Sequence, residues 1–230
     1  MALATVAQAD IQLLTNGGFE TGDFTGWNAQ AAPGSGGAWA VSSTTLAPIS
    51  GELTAGPASG SFYAVTGQAG PGAYALTQSF TVAPGATDVV LSFDLFANDF
   101  AGTIIPGPLN YTDSDVQFAT ADLLTGTADP FSTAPADVIQ NFYTGADNTD
   151  GGPAPYTHYS FDITNWVVAG DTYQIRFGDA DNLSFFSEGV DNVSVVETTG
   201  AAATPEPSYY LLILLGIGGM IAWKRRYAKA

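Results

Sequence analysis

The chain has 230 residues, 22 of them Asp or Glu against five Lys or Arg, and no cysteine. Four of the five basic residues follow Pro207 and every acidic residue precedes it, so residues 1–207 carry a formal charge of 1 − 22 = −21. That excludes nucleic acid and an anionic membrane surface as partners of the body, since phosphate binding requires clustered cations; a hydrophobic content of 46% with 12% aromatics also excludes a disordered acidic chain.

Met1–Ala9 (MALATVAQA) ends in the small-x-small pattern Ala7-Gln8-Ala9, suited to signal-peptidase cleavage before Asp10. It lacks a basic start and its apolar region is short. We read it as the remnant of a signal peptide whose genuine start lies upstream, the other reading being a disordered alanine-rich end. Residues 10–199 show no sustained helical period. They carry short alternating segments broken by Gly, Pro, Asn and Asp, which predicts an all-β fold, a single antiparallel jelly-roll or β-sandwich domain. Without disulfides, such a domain must be held by packing or by metal.

Asn16-Gly17-Gly18-Phe19-Glu20-Thr21-Gly22 with Trp27, near the start, has a counterpart near the end in Gly189-Val190-Asp191-Asn192-Val193-Ser194-Val195. These two stretches resemble the first and last strands of jelly-roll sandwiches of the carbohydrate-binding-module type. The resemblance covers about a dozen residues at each end and implies a structural Ca²⁺ held by Glu20 and Asp191. Strand parity gives separate support: Asp191 shares a face with Val193 and Val195, so if the valines point into the core the carboxylate does too, and a cation relieves the cost of burying it. The alternative is a bulge at Asp191, or a side chain that caps the preceding turn.

Tyr74, Leu76, Phe80 and Val82 fall on one side of a predicted strand, with Thr77, Ser79 and Thr81 on the other. After a Pro84-Gly85 turn, Val89, Leu91, Phe93 and Leu95 point one way, so 74–97 reads as two consecutive antiparallel strands with one buried face. Tyr159-Phe161-Ile163 and Tyr173-Ile175-Phe177 repeat the pattern around a Gly170-Asp171 turn, and a last strand is predicted over Gly189–Glu197. Long Gly-rich loops are expected at 31–37, 48–60, 98–112 and 145–156. Two further acidic clusters, Asp113/Asp115 and Asp179/Asp181/Asn182, lack the glycine and bidentate Glu of an EF-hand loop and read as solvated turns.

Sugar binding needs exposed aromatic faces with polar groups beside them. Trp27, Trp39, Trp166 and Tyr156 are the candidates, each weighed against a place in the core. Catalysis finds little: there is no Cys, His158 is the sole histidine, and neither a G-x-S-x-G elbow nor an H-E-x-x-H helix occurs. The expectation is a non-enzyme.

The last stretch, 204–230, reads TPEPSYYLLILLGIGGMIAWKRRYAKA. Residues 200–207 form a flexible linker ending in Pro205-Glu206-Pro207. Residues 208–223 form a predicted transmembrane helix, and 224–230 a basic cytoplasmic tail with Lys224, Arg225 and Arg226. Tyr209–Trp223 as a helix covers roughly 22 Å against a hydrocarbon core of about 30 Å, so it is short for a permanent anchor. The segment resembles a PEP-CTERM sorting signal, with Pro205-Glu206-Pro207 as its motif and Lys224-Arg225-Arg226 as its basic end. That resemblance covers this segment only. It implies transient residence in the inner membrane, recognition and removal of the tail by an exosortase, and delivery to the cell surface or an exopolysaccharide matrix, with exopolysaccharide itself a potential ligand of the body.

Overall fold

The structure is a computed structural model that describes residues 9–146 and 153–200. Among them are eleven strands, β1 (Ala9–Gln12), β2 (Asn28–Ala31), β3 (Gly37–Ser42), β4 (Tyr63–Gln68), β5 (Gly72–Thr81), β6 (Ala86–Asp99), β7 (Gln117–Thr125), β8 (Val138–Gly145), β9 (Thr157–Asp162), β10 (Thr172–Asp181) and β11 (Phe186–Thr199), with one 3-10 turn at Thr164–Trp166. They form two antiparallel sheets. The first runs β3-β4-β11-β6-β9, with β1 also paired to β11, and the second runs β2-β5-β10-β7-β8.

Alternation along the strands builds the space between the sheets. Tyr74, Leu76, Phe80 and Val82 from β5 and just beyond it, Val89, Leu91, Phe93 and Leu95 from β6, and Tyr173, Ile175 and Phe177 from β10 are all buried in one cluster. Phe93 of the first sheet meets Phe177 of the second edge to face, with ring centroids 5.2 Å apart. The expected all-β sandwich is therefore borne out, and the apolar faces of β5, β6 and β10 lie where their period puts them.

The pairing differs from the expectation in two places. β5 and β6 are consecutive but do not pair: β5 lies between β2 and β10 in the second sheet, and β6 between β11 and β9 in the first. Likewise β9 pairs with β6, whereas β10 pairs with β5 and β7. The physical reason is that two strands with buried faces satisfy the same pattern whether they lie side by side or face one another across the core. Thr77, expected on a solvated face, is 2% exposed. It stands opposite Arg176 of β10, on a sheet face covered by the chain between β7 and β8.

Gln78 is the polar exception on the inner face of β5. Its Oε1 accepts from the Thr15 N–H at 2.6 Å, and its Nε2 donates to the Thr15 carbonyl at 2.9 Å, so a side chain supplies main-chain pairing to the chain just beyond β1. Gln78→Ala is expected to cost about 1–3 kcal/mol in urea denaturation, because it orphans both groups of Thr15.

Candidate functional site

The turn after β1 and the last strand meet, and they do so through a bulge. The β11–β6 register shifts between Asp191 and Ser194, and Asn192 has φ +52°. Val190, Val193 and Val195 all reach the core, so the extra residue places Asp191 on the opposite side from the valines on either side of it. Asp191 is buried, as expected, but not on the core face that simple parity assigned to it. The turn at 16–19 docks on this bulge: the Val193 N–H donates to the Gly17 carbonyl at 2.9 Å. A Cβ at Gly17 would lie 1.8 Å from the Val193 oxygen, which is why glycine stands there.

Glu20 and Asp191 both bind the loop before β4. Asp191 Oδ2 accepts from the N–H groups of Ala58 (2.9 Å) and Ser59 (3.1 Å), and its Oδ1 from Asn192 N–H (2.7 Å). Glu20 Oε1 accepts from Ser61 (2.9 Å) and Phe62 (3.0 Å). Gly18 sits between them: a Cβ there would lie 3.7 Å from Asp191 Oδ1 and 3.8 Å from Glu20 Cγ. Burial pushes the Asp191 carboxyl up to about 6, against the downward pull of the Ser59, Asn192 and Ala58 N–H groups. Beside it Asp94 accepts from Asn192 Nδ2 at 2.7 Å and bonds His158 Nδ1 at 2.7 Å. Among the described residues no three His, Cys, Asp or Glu side chains converge as a metal set.

Trp27 and Trp39 lie in the core, 8% and 5% exposed. Trp27 packs on Phe19 and Phe177 and donates its indole N–H to the Asn16 carbonyl at 3.1 Å. The half-buried Tyr156 sets its ring edge-on to Phe96, 4.9 Å away, and donates its hydroxyl to the Gly56 carbonyl at 2.9 Å. The fourth aromatic is different. Trp166 closes the 3-10 turn between β9 and β10, packs edge-on against Phe142 at 5.7 Å, and is 39% exposed. It borders an open hollow of about 710 Å³ in which Ile139 and Tyr173 are apolar and Thr127, Asp171 and Thr172 are polar. An indole face beside hydroxyls and a carboxylate is an arrangement suited to a pyranose ring. Its polar groups come from two connections distant in sequence, the turn after β7 and the start of β10. The sequence offered Trp166 only as one of four aromatic candidates, each weighed against a place in the core.

The sorting-signal residues Pro205, Glu206, Pro207, Lys224, Arg225 and Arg226, the linker beyond Gly200, the 208–223 segment and the N-terminal residues 1–8 lie outside the described residues. Among those described, no helix is long and apolar enough to cross a membrane.

No protein-family model matches the chain, and no curated protein does. Solved structures do. The carbohydrate-binding module TmCBM61, in complex with beta-1,4-galactotriose, matches with a TM-score of 0.50 at 12% identity over 80% of this chain and 97% of that one. A Stig cyclase, Fisc, from Fischerella sp. TAU matches at 0.46 and 17% identity, over 84% of this chain and 100% of its own. The K3 cleaved adhesin domain of Lys-gingipain from Porphyromonas gingivalis W83 matches at 0.47 and 14% identity, over 84% and 100%. The class these observations define is a two-sheet antiparallel β-sandwich, a fold shared with a carbohydrate-binding module. At these identities the likeness extends to the fold alone.

Proposed function

We propose that the chain is an exported, non-catalytic, jelly-roll-type protein that binds polysaccharide at the cell surface or in an exopolysaccharide matrix. The observation that carries the reading is Trp166: an indole 39% exposed at the edge of an open hollow with hydroxyl and carboxylate groups on its rim. The sandwich shared with a module bound to beta-1,4-galactotriose supports it. Affinity electrophoresis against a polysaccharide panel that includes beta-1,4-galactan tests it. Trp166→Ala is expected to weaken retention at least about tenfold, or about 1.4 kcal/mol, with the unfolding midpoint nearly unchanged; Trp27→Ala instead lowers the midpoint. Binding unaffected by Trp166→Ala would remove the site.

Delivery rests on the tail. Pro205-Glu206-Pro207 offers an extended backbone beside the membrane, since proline fixes φ and disfavours helix just before it. An exosortase then processes the precursor in the inner membrane. Replacing Glu206 or deleting 209–223 leaves the sandwich folded and abolishes sorting, as fractionation of cells would show. A variant processed and localised like the parent would defeat that assignment.

Glu20 and Asp191 are proposed as the holders of a structural Ca²⁺ that ties the two ends of the sandwich together. Their donor set is all oxygen, which suits a hard cation, and the buried Asp191 carboxylate gains from a positive neighbour. Each carboxylate also already receives main-chain N–H donors, so the cation adds to a pre-formed loop. A midpoint that rises with Ca²⁺, less so in Asp191→Ala, supports this.

A further inference from the structure

The inward positions change character towards one end of the sandwich. On β10, Tyr173, Ile175 and Phe177 are followed on the same face by Asp179 and Asp181. On β4, Ala64 is followed by Thr66 and Gln68, and on β7 Gln117 precedes Ala119 and Ala121. Asp179 and Asp181 are 0% and 1% exposed, so they are not the solvated turn residues that their composition suggested. Asp99 of β6 and Glu188 of β11 are buried on the inward faces of the opposing sheet, and Tyr74 of β5 stands directly opposite Asp179 in the register. No cation faces them among the described residues: Arg176 points to the other side of β10, and His158 is exposed on β9.

The hydrogen bonds at this end leave a defined deficit. Asp99 is fully supplied, by Gln117 Nε2 and Ala101 N–H on Oδ1 and Thr103 N–H on Oδ2, each at 2.9 Å. Asp179 Oδ2 accepts from the Thr66 hydroxyl at 2.7 Å, and Asp181 Oδ1 accepts from Gln68 Nε2. The remaining oxygens, Asp179 Oδ1 and Asp181 Oδ2, receive no donor from the rest of the protein, and the two carboxyls lie within hydrogen-bond reach of each other. Two neutral oxygens beside them are in the same condition: Gln68 Oε1, on a residue 2% exposed, and the Tyr74 hydroxyl, on a residue 0% exposed. Four oxygens from three strands, none with a donor outside the pair, thus gather at two carboxyl groups that can hydrogen-bond one another only while a proton is held between them. Buried polar atoms are nearly always paired, and two adjacent carboxylates repel, so the arrangement is unfavourable as a set of bare acceptors.

We infer that Asp179 and Asp181, with Gln68 Oε1 and the Tyr74 hydroxyl, form a divalent-cation site between the sheets. The oxygen-only set with two carboxylates matches the charge and hardness of Ca²⁺, which takes 6–8 oxygen ligands and accepts irregular geometry, whereas Mg²⁺ demands a near-ideal octahedron. No third acidic side chain joins the set. An entry path is present: a pocket of about 260 Å³ between the turns at 69–71 and 182–185 has Gln68 and Asp181 in its wall. Burial raises both carboxyls above the usual carboxylate range, the condition a bound cation relieves. The site is separate from Glu20 and Asp191, which bind the 58–62 loop on the other side of β11.

The test is calorimetric titration of Ca²⁺ into the metal-stripped full chain at neutral pH, as the parent, as Asp191→Ala, and as Asp191→Ala with Asp181→Asn. Asp191→Ala alone is expected to retain one Ca²⁺. Adding Asp181→Asn raises Kd at least about tenfold or abolishes binding, the direction set by losing one of the two charged ligands. Because Asp181→Asn removes a buried charge, it melts no lower than its background in chelator. Should it fail to fold, Asp179→Asn, which changes the partner carboxyl by one atom, gives the same reading. An Asp191→Ala chain that binds no Ca²⁺, or binding unaltered by the asparagine substitution, would overturn the site and leave the two carboxyls as a proton-sharing pair.

Discussion

Arg176→Met is expected to destabilise the sandwich by about 3–5 kcal/mol, read as a lower urea midpoint with an unchanged slope. Arg176 is the one basic residue in 1–207, and it is buried on the outer face of the second sheet. Its Nε and Nη2 both reach Asp122 Oδ2, at 3.0 and 2.5 Å, while Nη1 donates to the carbonyls of Pro130 and Ser132 at 3.0 and 2.6 Å. One guanidinium therefore neutralises a buried carboxylate and clamps the β7–β8 connection over the sheet. Removing it leaves Asp122 with Asn141 Nδ2 and the Thr120 hydroxyl as neutral donors and no countercharge. Replacing both members, Arg176→Met with Asp122→Leu, is expected to recover much of the loss, since no charge then remains buried. A double variant as unstable as the single one would shift the cause to the two loop carbonyls.

In chelator, native stability is expected to fall as the pH climbs from about 4 towards and past neutrality. Most acidic proteins gain stability over that range as native ion pairs form. Here the sign is reversed, because burial first, and then the mutual repulsion that adds to it at Asp181, raises the folded-state pKa of Asp179 and Asp181 above the unfolded value. The native state holds protons that the unfolded chain has released. Stability present below about 4 is thus lost as the pH rises through the raised values, with a slope of about 1.4 kcal/mol per pH unit for each retained proton. Asp191 adds a smaller loss that is complete above about 6. Midpoints of thermal unfolding at a series of pH values measure this, and Asp181→Asn is expected to flatten the curve. A parent curve that rises between pH 4 and 7 would contradict the assignment of buried protons to this pair.

Much of the fold was legible because period-2 alternation depends only on which side chains face the core. Tyr74, Leu76 and Phe80, or Val89, Leu91 and Phe93, identify inner faces without any knowledge of neighbours. What alternation does not contain is the identity of the neighbour, so β5 and β6 read as sheet-mates when they face each other across the core. The same period also carried Asp179 and Asp181 inward after Tyr173, Ile175 and Phe177; there the acidic residue type and the adjacent Asn182 outweighed a pattern that was correct. At Asp191 the pattern misled for the opposite reason. One additional residue in a bulge inverts every later face, and the local hint was Asn192, a residue type that tolerates positive φ. The hollow at Trp166 was beyond reach because its rim is assembled from segments some forty residues apart, Thr127 and Asp171–Thr172.

The pairing of β1 with the far end of β11 sets Ala9 directly across from Thr199. The strand order in space is therefore indifferent to where the polypeptide is cut. A circular permutant, joined across those neighbouring ends by a short turn and opened at Ser50–Gly51, where nothing lies within 4 Å of the position a Gly51 side chain would take, keeps every ladder of both sheets. The sandwich can thus be threaded in a new order without changing what touches what.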